Sequence, residues 1–119
     1  MKTTKKHFEL FKSECQKWID IFELNKYKVA YEWKDLEVEA TINAQEDGVT
    51  TTIGLGKDIG YDEFDYNMSL KEYISSIAKH EVIHLLLSRF AWNATGRYIS
   101  RDEMQEAEEE LVRKLENII

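Results

Sequence analysis

The pentapeptide His80-Glu81-Val82-Ile83-His84 carries the residue types that metal-assisted chemistry needs. Histidines four positions apart stand one turn apart on the same helix face, so both imidazoles can reach one ion. Zinc suits imidazole nitrogen, and three protein ligands with one open position is the catalytic arrangement. The glutamate after the first histidine sits beside the pair, where it can take a proton from metal-bound water. With 3 histidines and 16 glutamates in 119 residues, chance yields the pattern in roughly one chain in a hundred. Two unpartnered imidazoles buried in an apolar helix would cost a few kcal/mol. One zinc ion satisfies both. The pattern therefore reads as a metal site, with His80 and His84 as ligands and Glu81 as general base.

The third ligand must be a carboxylate, because no histidine follows His84. The C-terminal segment offers Glu103, Glu106, Glu108, Glu109, Glu110 and Glu116. At about 100° per residue, Met104, Ala107, Leu111, Leu115 and Ile118 define an inward helix face. Glu108 lies near the middle of that face, and a buried carboxylate needs a cation. Glu103 is the alternative, at the edge of the face in a first turn whose dipole favours carboxylates. Glu106 and Glu109 are expected to point to solvent.

These residues need a scaffold. Phe8, Phe11, Cys15, Trp18, Ile19 and Phe22 recur at helical spacing and predict an amphipathic helix over about residues 5–24. The period then changes to two. Tyr27, Val29, Tyr31 and Trp33 mark one half-buried strand, Val38, Ala40 and Ile42 a second, and Val49 to Leu55 a third. Their short connections, one of them the turn Gln45-Glu46-Asp47-Gly48, suggest an antiparallel meander. Ser69 with Glu72 forms a capping box that opens the motif helix. That helix should run to about Phe90, apolar nearly all round and hence covered on most sides. A loop from Trp92 to Ile99 follows, and Ser100 with Glu103 caps a last helix. The expectation is one α+β domain over residues 1–119, with a three-stranded, mainly antiparallel sheet and a buried central helix.

Composition bounds the partners. A net charge of −7 repels a phosphate backbone, and no basic stripe offsets it, so nucleic acid is not an expected partner. Cys15 is the only cysteine, which forbids an intrachain disulfide, and its place beside Phe11 and Trp18 reads as packing. The segment MKTTKKHFELFK lacks the apolar core of a signal peptide, and no run approaches the ~18 apolar residues of a membrane span. A cytoplasmic protein is expected.

The motif HEVIH followed by a glutamate on the next helix resembles the gluzincin clan of zinc metallopeptidases, especially its minimal members, the minigluzincins. More narrowly, HEVIHLLL followed by EAEEELVRKLENII is similar to short metallopeptidase-like proteins of phages and prophages. In that comparison Glu108 falls on the downstream glutamate, whereas the spacing common among gluzincins fits Glu103, so both stand as candidates. The resemblance implies peptide-bond hydrolysis with bound Zn2+ and a peptide or protein substrate. It also implies an edge strand that pairs with the substrate, for which Val49 to Leu55 is the candidate. An electrophilic helper for the tetrahedral intermediate is expected too. Tyr98 is the candidate, with Arg97, Asn93, Tyr61 and Tyr66 as alternatives, while His7 lies far from the motif. A different class of function stays open, a zinc-stabilised binding or inhibitory module in which Glu81 has no catalytic role.

Overall fold

The computed structural model describes residues 1–44, 49–62, 67–95 and 100–118, apart from the side chains of 89–95, 104, 107 and 118. Helix α1 spans Lys5–Ile21. It opens on a capping box in which Thr4 Oγ1 accepts from the His7 N–H, and the Thr4 N–H donates to His7 Nδ1 at 3.0 Å. His7 thus caps a helix. Phe11, Cys15 and Ile19 form its buried face. Burial, with Glu81 and Glu14 adding to it, pushes the Cys15 thiol well above its ordinary range. A thiol held protonated in this way packs rather than reacts.

The helix stops before Leu24, in a Schellman motif. Leu24 N–H donates to Ile19 O at 2.9 Å and Glu23 N–H to Asp20 O at 3.2 Å. Buried Leu24 and Ile19 supply the apolar contact that accompanies such ends. Glu23 occupies the left-handed position at φ 56°, where glycine is favoured because a Cβ is penalised. Glu23→Gly is expected to stabilise the chain by about 0.5–1 kcal/mol. A raised melting temperature in a thermal denaturation series would show it; a lowered one would mean the motif carries no strain.

The sheet corrects the predicted meander. Strands β1 (Lys28–Lys34), β2 (Ala40–Ala44) and β3 (Thr50–Gly56) lie in the order β1-β3-β2. β3 pairs parallel with β1 and antiparallel with β2. The third strand is therefore central, and Val49 to Leu55 cannot serve as an edge. The segment linking β1 to β2 crosses the end of β3 to reach its far side. Gly56 permits that crossing: a Cβ there would meet Val38 O at 3.0 Å and Glu39 O at 3.2 Å. Its N–H donates to Glu39 O at 2.8 Å, fixing the residue just before β2. Thr51, Ile53 and Leu55 are fully buried, as a central strand requires.

Helix α2 spans Leu70–Thr95 and α3 spans Arg101–Ile118. α2 continues past Phe90 through Trp92 to Thr95, so Asn93 belongs to the helix and not to a loop. Nothing before Gly96 breaks the pattern. Ile74, Ala78, Val82, Ile83 and Leu85 are all fully buried, which is why α2 shows almost no polar face. It packs against α1, β2 and α3. The result is the expected α+β architecture, built on a mixed sheet. Among the described residues no helix is long and apolar enough to cross a membrane.

Candidate metal centre

Helix α2 is started by Ser69, whose Oγ accepts the Glu72 N–H at 3.2 Å and whose hydroxyl donates to the Glu72 carboxylate at 3.3 Å. The cap and the buried apolar ring set the rotation of α2, and with it the direction of the motif. His80 and His84 then face α3, with ring centroids 4.9 Å apart.

Each imidazole is held from behind by a carboxylate. His80 Nδ1 is 2.7 Å from Glu116 Oε2, and His84 Nδ1 is 3.3 Å from Glu108 Oε1. An ionised carboxylate only accepts, so each Nδ1 donates to its carboxylate, and a ring that is neutral then carries its lone pair on Nε2. Those two nitrogens face each other at 3.2 Å. Glu109 Oε1 joins them, 2.6 Å from His84 Nε2 and 3.9 Å from His80 Nε2. Three ligand-type atoms thus converge on one point, a set that a metal ion can join when the rings are neutral and that a proton on His84 Nε2, donated to Glu109, can join when that ring is charged. The donor set suits zinc.

The electrostatics point the same way. Burial acts to lower the pKa of His84, but the Glu108 hydrogen bond and the charges of Glu109, Glu81 and Glu108 reverse it, for a net rise. A field that favours a proton on the ring favours a metal cation beside it. Glu81 is 8% exposed. Its carboxyl lies above the ordinary carboxylate range, chiefly through burial; His84 and His80 act against the rise, while Glu109 and Glu116 add to it.

Sequence periodicity misread one position of α3. It set Leu111 on the inner face, yet Leu111 is 41% exposed and Val112 is fully buried. Glu109, expected to point to solvent, keeps a side chain 38% exposed yet reaches His84 Nε2 at 2.6 Å. Glu108 faces inward as expected, its side chain 15% exposed, and meets His84 at Nδ1. Glu103 is exposed in the first turn, its N–H donating to Ser100 Oγ at 3.1 Å. Glu106 is exposed, as expected. The role of Glu116 was missed. A signal existed, because Glu109, Val112 and Glu116 share one face at spacings of three and four.

Beside the histidines runs a cleft of about 420 Å³ between the start of β2, the face of α2 and the end of α3. Its lining includes Glu39, Tyr73, His80, Glu81 and Glu116. β2 is an edge strand on this side, taking the place expected for β3. Of the electrophile candidates, Tyr98, Arg97 and Tyr66 lie outside the described residues, as does the side chain of Asn93. The Tyr61 hydroxyl donates to Met68 O at 2.8 Å.

Val112 is the only fully buried side chain among the described residues of α3, and the face it shares carries carboxylates. Without a cation, the charges of Glu109 and Glu116 act against that of Glu81. Chelation is expected to speed amide exchange in α3 by about tenfold or more while α1, β3 and the core of α2 stay protected. Hydrogen-exchange mass spectrometry reads this directly; equal acceleration everywhere would refute it. No family model, curated protein or solved structure matches the chain.

Proposed function

We propose that the protein is a zinc-dependent metallopeptidase of the cytoplasm, acting on a peptide or protein substrate. The observation that carries the reading is the convergence of His80 Nε2, His84 Nε2 and Glu109 Oε1 beside the buried Glu81. In this reading those three atoms hold the metal, and Glu108 and Glu116 orient the rings from behind. Bound zinc would supply Lewis-acid polarisation of the scissile carbonyl and acidify water. Glu81 accepts the proton of the attacking water and returns it to the leaving amine. A carboxyl held above its ordinary range suits both halves of that transfer. The free edge of β2 offers main-chain donors and acceptors to an extended substrate.

The test is digestion of a complex peptide mixture by zinc-loaded and chelator-stripped protein, with products identified by mass spectrometry. New termini confined to the loaded sample are the expected result. A loaded protein that cuts nothing favours the second reading, a zinc-stabilised binding module. Behind that alternative stands the packing of α3, in which Val112 is the one fully buried side chain among the described residues.

A further inference from the structure

The cleft continues beyond the histidines to Glu39, at the start of β2. Glu39 is held twice. Its carbonyl accepts the Gly56 N–H at 2.8 Å, and its carboxylate Oε2 accepts the Tyr73 hydroxyl. Tyr73 is 8% exposed, so the group that grips Glu39 is itself fixed in the packing of α2. A carboxylate fixed at both backbone and side chain is preorganised. It needs no reordering to receive a charge.

Glu39 makes no ion pair among the described residues. The other charged groups on the cleft wall are occupied. Glu116 is engaged with His80 at 2.7 Å, and Glu81 stands beside the two histidines. Lys79, the one cation lining the cleft among the described residues, donates to Glu116 O at 2.9 Å and lies 5.5 Å from the Trp18 ring. Glu39 therefore faces the cleft as a fixed, unneutralised negative charge.

The geometry points to Glu39 as a specificity-determining residue that receives a cationic group, a lysine or arginine side chain or a free amine, of a peptide lying in the cleft. Tyr73 precedes His80 by two helical turns, about 10 Å along the axis. An extended chain covers that distance in about three residues. The cation thus belongs about three positions from the bond above His80 and Glu81. Only this last statement, where the cation sits relative to a cleaved bond, rests on the peptidase reading.

The experiment uses zinc-loaded Glu81→Gln protein and fluorescein-labelled, N-acetylated alanine-serine heptapeptides. Lysine, norleucine or glutamate is placed at each position in turn, with a parallel set bearing a free amino terminus. Fluorescence anisotropy gives the affinities. Lysine at one position is expected to strengthen binding about tenfold or more over norleucine, with glutamate weakest. The further change Glu39→Gln keeps an acceptor for Tyr73 and should abolish that preference without altering zinc content or melting temperature. Discrimination confined to free-amine peptides would assign the cation to the substrate's terminus. Equal affinities, no binding at all, or a preference that survives Glu39→Gln would overturn the inference. Cleavage by wild type without charge preference would sink the subsite alone, whereas Glu39-dependent binding without cleavage would sink the peptidase reading alone.

Discussion

Protein dialysed against zinc is expected to retain about one equivalent of the metal, and His84→Ala or Glu109→Ala to retain almost none. Removing one of three ligands from a catalytic-type site destroys the coordination set itself. Glu108→Gln and Glu116→Gln should behave differently. Each removes a carboxylate that orients an imidazole through Nδ1, at 3.3 Å and 2.7 Å respectively. Loss of such a partner weakens metal binding by about 10–100-fold rather than abolishing it. Glu103→Ala should change nothing, since that side chain is exposed in the first turn of α3. Metal content by inductively coupled plasma mass spectrometry, with competition against a chromophoric chelator, separates the three classes. Complete loss in Glu108→Gln with retention in Glu109→Ala would reverse the roles given to these adjacent residues.

The second large effect concerns the proton. Glu81→Gln should keep zinc near the wild-type level yet lower peptide hydrolysis by about 10²–10⁴-fold. The amide preserves the volume of a side chain that is 8% exposed, but it cannot accept a proton. Loss of turnover with metal retained would separate catalysis from binding. Undiminished cleavage in a clean preparation of the variant would remove Glu81 as the base. Loss of zinc along with activity would instead mean that the carboxylate's charge helps to hold the metal, placing Glu81 among the binding groups.

His80, Glu81 and His84 were legible because their relation is local. A spacing of four within one helix fixes a shared face without knowledge of the rest of the fold. The buried character of α2 was legible for a similar reason, since apolar residues run almost all round it. The capping residues Ser69 and Ser100 could be read because a hydroxyl before a first turn finds the same N–H groups in any fold.

The third acceptor was not local. Glu108 and Glu109 are neighbours on one helix, about 100° apart in projection, and which of them meets His84 Nε2 depends on how α3 settles on α2. Both touch His84, Glu108 at Nδ1 and Glu109 at Nε2. Strand order was non-local too. Alternation marks a strand and its faces, but pairing is set by which chain segments can cross, and here the link from β1 passes over Gly56 to the far side of β3. By itself the sequence determined that this protein has two histidines and a glutamate poised on a buried helix. Tertiary structure alone decided which α3 carboxylate completes the cluster, that β2 and not β3 borders the cleft, and that Glu39 stands at its far wall. Periodicity specifies rotation within an element, whereas the placement of one element on another follows from packing between residues distant in the chain.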